Sequence, residues 1–173
     1  MRKIIIYIAS SLDGYIARKD GAIDWLPTEA DEDYGYEAFL QGVDTVLMGN
    51  KTYQQVRGFD VEYPYKNFKN FVFTRNQDLS KDEYVDFIRE EPASFMKTLK
   101  NQPSGNIWLI GGGEIINNAT IQGVADELIL FVMPVVLGEG LPLFLKSADD
   151  RKLELLNSKT YKSGVVELHY KFL

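Results

Sequence analysis

The chain has 173 residues, a formal net charge of −6 and no cysteine. This length suits one domain that buries roughly 70% of the surface its unfolded form would expose. Disulfides and thiolate metal sites are excluded, and the single histidine, His169, is too little for a histidine-built metal centre. The acidic balance disfavours nucleic acid and anionic membranes, so we expect a small-molecule ligand and no metal, nucleic-acid or membrane partner.

Membrane and export signals are also weak in this sequence. No apolar run approaches the ~20 residues of a membrane span. The apolar segment at residues 4–9 is too short for the core of a signal peptide. We therefore expect a cytoplasmic protein.

The first forty residues predict a strand, a loop and a helix. Residues 3–10 are rich in β-branched residues and apolar on both alternating faces, which predicts a central strand covered on both sides. Residues 11–27 contain two Asp-Gly turn signals with apolar residues between them, which predicts a long loop. A cap and acidic residues at 28–31 predict a helix that runs to about Gln41 and stops at Gly42.

The middle of the chain alternates strands and helices. Residues 43–48 predict a second strand, and Gly49 begins a strand-to-helix junction. Residues 70–74 predict a third strand and residues 84–88 a fourth, short one, before Pro92 starts a helix with an apolar stripe.

The end of the chain contains strands only. Residues 127–136 predict a long apolar strand, interrupted by Pro134, and residues 153–161 and 165–172 predict a hairpin. Because strands alternate with helices until this antiparallel end, we expect one α/β domain over residues 1–173. Its sheet is mixed and mostly parallel, with helices on both faces.

Residues 106–116 predict a strand, a turn and a helix, with Gly111, Gly112 and Gly113 at the junction. Without Cβ atoms at the turn, backbone N–H groups can approach a ligand closely. The start of the helix adds partial positive charge, which makes an anion site suited to a pyrophosphate. The spacing lacks the Gly-x-Gly-x-x-Gly pattern, and a glycine run after a strand is by itself more often only a tight turn.

Four segments in one order link the chain to a known family: residues 9–14 (Ala-Ser-Ser-Leu-Asp-Gly), 44–53 (Asp-Thr-Val-Leu-Met-Gly-Asn-Lys-Thr-Tyr), 73–75 (Phe-Thr-Arg) and 110–114 (Ile-Gly-Gly-Gly-Glu). Together they resemble the dihydrofolate-reductase-like superfamily, which implies a three-layer sandwich. The Ser-Leu-Asp-Gly start and residues 125–140 are more similar to the reductase domain of bifunctional riboflavin-biosynthesis enzymes. The companion deaminase needs a zinc site with two cysteines, so the resemblance is to a stand-alone reductase half.

The resemblance implies a reductase that binds NADPH, and it assigns the cofactor site residue by residue. The implied contacts are Ala9, Leu12 and Asp13 beside the nicotinamide; Gly49, Asn50, Lys51 and Thr52 at the adenosine-side phosphate; Thr74 and Arg75 at the 2′-phosphate; and Gly111, Gly112, Gly113, Glu114 and Ile115 at the pyrophosphate. A homodimer is implied by the same resemblance and by the prevalence of twofold assemblies.

Asp33 is the candidate catalytic residue. It lies on the predicted first helix, fifteen residues before Met48, the spacing at which dihydrofolate reductases place a substrate-binding carboxylate. A solvated residue of an acidic helix start is an equal alternative.

The expected activity is hydride transfer from NADPH to a C=N or C=O bond of a small heterocycle, pyrimidine- or pterin-like. Residues 56–64 depart from the substrate-binding stretch of the riboflavin family, so the substrate stays open. An NADP-binding sensor or scaffold without turnover is the alternative.

Overall fold

The computed structural model describes residues 1–27, 33–79, 82–146 and 150–173, which form strands and helices in alternation. The strands are β1 (Ile4–Ser11), β2 (Tyr15–Ala17), β3 (Val43–Gly49), β4 (Lys69–Phe73), β5 (Asp86–Ile88), β6 (Asn106–Gly111), β7 (Glu127–Met133), β8 (Leu141–Pro142), β9 (Leu153–Thr160) and β10 (Val166–Phe172). The helices are α1 (Tyr36–Gln41), α2 (Asn50–Arg57), α3 (Pro92–Lys100) and α4 (Gly113–Ile121).

Eight strands form one sheet in the order β5-β4-β3-β6-β1-β7-β10-β9. The pairs from β5 to β7 are parallel, and β10 pairs antiparallel with both β7 and β9. The short strands β2 and β8 form a separate antiparallel ribbon. The predicted mixed, mostly parallel sheet with a C-terminal hairpin is confirmed.

Helices cover both faces of the sheet. On one side Trp108 of β6 packs in a buried cluster with Phe39 of α1 and Tyr53 of α2. On the other side Leu109 packs with Ile116 of α4, and α3 packs against α4. We call these sides the α1/α2 face and the α3/α4 face. The expected three-layer sandwich is therefore confirmed. No helix of the described residues is long and apolar enough to span a membrane.

The first helix is shorter than predicted and does not contain Asp33. It begins at Tyr36, because Tyr34 (φ 52°) and Gly35 (φ 75°) both adopt left-handed backbone conformations that interrupt a right-handed helix. The predicted start at residues 28–31 lies outside the described residues. Asp33 therefore precedes the helix, which corrects the position that the sequence predicted.

Two further differences concern strands. β7 ends at Met133 rather than at residue 136, because Pro134 has no N–H to continue the ladder. The predicted loop at residues 11–27 contains β2, which pairs with β8 more than a hundred residues later in the chain. No local pattern in the sequence indicated this pairing.

Candidate functional site

The centre of the candidate site is the crevice at the carboxyl ends of β3 and β6, which are neighbours in the sheet. From β3 the chain passes through α2 to β4, on one side of this pair. From β6 it passes through α4 to β7, on the opposite side. Adjacent parallel strands whose connections leave in opposite directions open a crevice, and open α/β sheets bind ligands in such crevices.

The starts of α2 and α4 meet in this crevice. Their N-cap residues are Gly49 and Gly112, which have no side chain to cap the first N–H groups of the helices. A Cβ built on Gly49 would lie 3.7 Å from the Gly112 nitrogen, and one built on Gly112 would lie 3.4 Å from Thr52 Oγ1. Two uncapped helix starts therefore present N–H groups and partial positive charge to one place, the arrangement that an anion needs.

The three glycines of the run have different surroundings. A Cβ on Gly112 would meet only the Thr52 hydroxyl at van der Waals distance. A Cβ on Gly113 would lie 2.9 Å from the Pro142 carbonyl oxygen, so β8 packs directly on this residue. Gly111 is buried with φ 148°, and the peptide bond between Gly111 and Gly112 is cis. Gly112 is thus the glycine whose missing side chain leaves room for a ligand.

Positive charge lies beside the crevice. Arg75 follows β4 and its side chain is 98% exposed, with Nη2 3.9 Å from Glu114 Oε2 at the start of α4. Because β3 lies between β4 and β6, the Arg75 guanidinium reaches across the end of β3. Lys51 is exposed in the first turn of α2. Thr74 is buried and its Oγ1 accepts a hydrogen bond from the Asn76 N–H (3.1 Å), so it shapes the turn that presents Arg75.

Two predicted cofactor residues are mostly enclosed by protein. Ile115 Cγ1 would lie 3.3 Å from a Cβ on Gly49, so this side chain packs between the two helix starts. The Asn50 side-chain oxygen is buried, and no donor among the described residues bonds it. Both residues therefore contribute to the packing between the starts of α2 and α4 rather than to the surface of the crevice.

The turn after β1 is hydrogen-bonded to the loop after β7. The Asp13 carboxylate accepts hydrogen bonds from Ser11 Oγ (2.6 Å) and from the N–H groups of Leu137 (3.1 Å) and Gly138 (2.7 Å). The Ser11 bond is the main cause that lowers the pKa of Asp13, and the two backbone N–H groups add to it. Leu12 is exposed at the rim. The Asp13 carboxylate therefore holds the loop in place, while Leu12 faces solvent.

Three aromatic residues, Tyr7, Tyr34 and Phe131, form a cluster on the α1/α2 face of β1, which we call the aromatic wall. The Tyr7 hydroxyl donates to the Tyr34 carbonyl oxygen (3.3 Å), and the Tyr7 ring lies 4.7 Å from the Phe131 ring centroid. Asp33 is exposed, and its carboxylate accepts the Glu37 N–H of α1 (3.2 Å). Burial is the main cause that raises the pKa of Tyr7, and the charges of Tyr161, Glu167 and Asp33 add to it. Asp33 directly precedes Tyr34, whose carbonyl oxygen accepts the Tyr7 hydroxyl, so Asp33 lies next to this wall.

Sequence reasoning missed Tyr7 and Tyr34. Tyr7 lies two residues before Ala9, and Ala9 pairs with Phe131 across the sheet, so all three share one face. That alternation was a usable signal for Tyr7. Tyr34 had no comparable signal, because its left-handed backbone and its contact with Tyr7 depend on the whole fold.

The chain is similar to known proteins along nearly its whole length. The RibD C-terminal domain family matches residues 2–167. The Bacillus subtilis (strain 168) protein YwjB is 44% identical over 170 residues, covering 98% of this chain and 97% of YwjB. A solved structure from Shewanella sp. PV-4, whose name assigns it to riboflavin biosynthesis, has a TM-score of 0.87 and 29% identity, with 99% of both chains covered.

A Thermotoga maritima structure shows the same fold within a longer chain. Its name describes a diaminohydroxyphosphoribosylaminopyrimidine deaminase and 5-amino-6-(5-phosphoribosylamino)uracil reductase. The TM-score is 0.76 at 16% identity, with 99% of this chain and 57% of that chain covered.

Proposed function

We propose that this chain, which belongs to the RibD C-terminal domain family, is an NADPH-dependent reductase that transfers hydride to a small pyrimidine- or pterin-like heterocycle. The supporting observation is the crevice between β3 and β6, where the uncapped starts of α2 and α4 converge beside Arg75. A dinucleotide with an extra phosphate is the ligand that suits two anion-binding helix starts and an adjacent guanidinium.

The residues of the crevice fit NADPH. The N–H groups at Gly112 and in the first turn of α2 would bind the pyrophosphate, because no Cβ separates them from the ligand. Lys51 and Arg75 would bind the 2′-phosphate from either side of the β3 end. When bound, NADPH supplies the hydride. The protein supplies orientation and positive charge.

We assign substrate binding to the aromatic wall. Tyr7 and Tyr34 are half-buried and pack on the buried Phe131 ring, and a flat heterocycle would pack against the exposed parts of these two tyrosine rings. Hydride addition to a C=N or C=O carbon requires a proton on the nitrogen or oxygen. Asp33, exposed beside this wall, anchors the substrate or delivers that proton through water. Tyr7 has a raised pKa and keeps its proton, which its hydroxyl donates to the Tyr34 carbonyl oxygen.

The relatives agree with this assignment. The Shewanella protein's link to riboflavin biosynthesis favours a pyrimidine-type substrate. The reductase named for the Thermotoga protein acts on a phosphoribosylated aminouracil, but at 16% identity that structure supports the fold alone. The substrate panel should therefore contain both phosphoribosyl-pyrimidines and pterins.

The test has two stages. NADPH and NADH are first titrated into the protein, followed by calorimetry or tryptophan fluorescence. NADPH oxidation is then measured against the substrate panel. Oxidation with one heterocycle supports the proposal and identifies the substrate class. Tight NADPH binding without oxidation of any member favours the sensor or scaffold alternative. Failure to bind either dinucleotide refutes the cofactor assignment.

A further inference from the structure

The segment that follows Arg75 is held by a second arginine. Arg89 comes directly after β5, and its guanidinium donates hydrogen bonds to three backbone carbonyl oxygens of residues 76–79, which we call the β4 loop. The acceptors are the oxygens of Asn76 (3.3 Å from Nε), Gln77 (3.5 Å from Nη2) and Leu79 (also bound by Nη2). The planar fork of one guanidinium therefore restrains this whole short segment.

The β4 loop contains two further hydrogen bonds. Thr74 Oγ1 accepts the Asn76 N–H (3.1 Å), and Asn76 Oδ1 accepts the Asp78 N–H (2.9 Å). Side-chain bonds of this kind, to an N–H two residues further along, shape turns. Residues 76–78 are exposed, so core packing does not hold them. The conformation of the β4 loop thus depends on hydrogen bonds, and Arg89 makes three of them.

Arg89 lies on the side of the β4 loop that is opposite to the crevice. The sheet order β5-β4-β3 places the end of β5 beyond β4, whereas Arg75 reaches the other way, across the end of β3. The Arg75 side chain is 98% exposed, so the direction of its guanidinium depends mainly on its own backbone. Arg89 restrains the backbone that directly follows Arg75 and leaves the crevice side open to a ligand.

We propose that Arg89 is a positioning residue for NADPH, which acts by holding the β4 loop and with it the backbone from which Arg75 reaches the 2′-phosphate. The inference rests on the proposed function, because it concerns the choice between NADPH and NADH. Without Arg89, phosphate binding must also order the loop, and preorganisation removes that cost. The cost of ordering one backbone residue corresponds to about 5- to 30-fold in affinity, which is the effect we expect from Arg89.

A lysine at this position separates positioning from charge. Arg89→Lys keeps the positive charge, but an ammonium group cannot present a planar fork to three oxygens. It should therefore weaken NADPH binding nearly as much as Arg89→Met does. The control Lys97→Met removes an exposed cation from the last turn of α3 and should change NADPH affinity by less than about twofold. Wild-type NADPH affinity in Arg89→Lys would overturn the proposal.

Hydrogen exchange tests the ordering of the β4 loop without any cofactor. The amides of Asn76 and Asp78 donate the two bonds within this segment, so their exchange rates report on its opening. Exchange at both amides should be faster in Arg89→Lys than in wild type by roughly tenfold or more, with exchange in α4 unchanged. Equal rates in the two proteins would overturn the proposal, whatever the dinucleotides do.

A double-mutant cycle with Arg75→Ala tests the link to Arg75, with NADPH and NADH titrated into all four proteins. Arg89→Met alone should weaken NADPH binding by about 5- to 30-fold and NADH binding by less than about twofold. In the Arg75→Ala background it should weaken NADPH binding by less than about twofold, because the guanidinium that it positions is absent. Additive losses would overturn the proposal.

The same titrations distinguish this inference from the proposed function. A wild type that prefers NADPH, together with an Arg89→Met variant that keeps the full preference, overturns the role of Arg89 alone. A wild type that binds neither dinucleotide, or both equally, refutes the cofactor assignment and the role of Arg89 with it.

Discussion

Arg75 is the residue on which the expected choice between NADPH and NADH depends. A charge-assisted hydrogen bond contributes roughly 1.5–3 kcal/mol, which is about ten- to a hundredfold in affinity. Arg75→Ala should weaken NADPH binding by about that factor and leave NADH binding little changed, because NADH lacks the 2′-phosphate. Titration of both cofactors into wild type and variant measures this. An equal loss of affinity for NADPH and NADH would show that Arg75 maintains the folded structure rather than binding the 2′-phosphate.

Glu114 provides a companion variant for Arg75. Its carboxylate lies 3.9 Å from the guanidinium and competes with a phosphate for it. Because exposed ion pairs contribute about 0.2–1 kcal/mol, Glu114→Gln should raise NADPH affinity by up to about fivefold. NADH affinity should stay constant.

Asp33 combines a structural and a candidate chemical role, and two substitutions separate them. Its carboxylate accepts the Glu37 N–H. The Asn side-chain oxygen can accept the same bond, so Asp33→Asn should change the free energy of unfolding by less than about 0.5 kcal/mol. If the carboxylate delivers the proton, turnover should fall about a hundredfold or more, with NADPH affinity retained.

Asp33→Ala is the control, because it removes the hydrogen bond from Glu37 and the carboxylate together. It should lose about 0.5 kcal/mol of stability, the low end for one hydrogen bond, as well as turnover. Full activity of Asp33→Asn across the pH range would leave Asp33 with the structural role alone.

At the scale of elements, the junction of β6 and α4 contains two glycines with different expected tolerances. A Cβ on Gly112 meets Thr52 Oγ1 at 3.4 Å, an ordinary contact, whereas one on Gly113 meets a backbone oxygen of β8 at 2.9 Å. Gly112→Ala should therefore keep the fold and weaken dinucleotide binding, because its methyl group occupies the ligand's place. Gly113→Ala should instead lower the melting temperature, because its Cβ would clash with that backbone oxygen. Unchanged NADPH affinity in folded Gly112→Ala would remove this junction from the site.

Helices α3 and α4 are joined through Glu91, the N-cap of α3. Its carboxylate accepts hydrogen bonds from Asn118 Nδ2 on α4 (3.0 Å) and from the N–H groups of Ala93 (3.1 Å) and Ser94 (2.8 Å). These bonds, that of Asn118 first, lower the pKa of Glu91 from 4.5 to about 2. The folded state thus binds this proton less readily than the unfolded state, so the bonds stabilise the fold above about pH 4.5 and lose that effect as pH falls toward about 2.

Glu91→Ala should therefore cost about 1 kcal/mol of stability at neutral pH, the usual effect of losing an N-cap. The difference from wild type should shrink as the solution is acidified below the ordinary pKa of a glutamate. Denaturant unfolding at several acidic pH values measures it. Glu91→Gln, which has no titrating group, is the control and should lack this pH dependence. A wild-type-to-Ala difference that stays constant on acidification would contradict the assignment.

At the scale of the whole molecule, one sheet connects the candidate cofactor crevice, the aromatic wall and the hairpin. A single domain should unfold in one cooperative transition, and a ligand that binds only the folded state should raise its melting temperature. NADPH at a hundred times its dissociation constant should add about 2.7 kcal/mol to the free energy of unfolding. For a chain of this size, that raises the melting temperature by roughly 5–10 °C. NADH at the same concentration should give a smaller shift. Two separate calorimetric transitions would contradict the single-domain prediction.

The sequence alone determined the features that depend on short-range physics. Short apolar runs rich in β-branched residues located β1 and β3, because such residues fit a strand that is covered on both faces. A glycine-containing turn between two strand-like segments located the hairpin. Glycines after apolar strands located the starts of α2 and α4, since only a residue without a Cβ leaves backbone N–H groups open there. Those local rules also indicated an anion site at the glycine junctions, whereas the family resemblance implied the other candidate cofactor residues.

Only the tertiary structure decided which of these elements meet. β3 and β6 are neighbours although α2, β4, β5 and α3 lie between them in the chain, and β2 pairs with β8 across more than a hundred residues. The roles of Gly113 and Tyr34 follow from such contacts. Backbone preferences and hydrophobic periodicity act over a few residues. Strand order and helix placement are set by burial summed over the whole domain, which no single stretch of sequence contains.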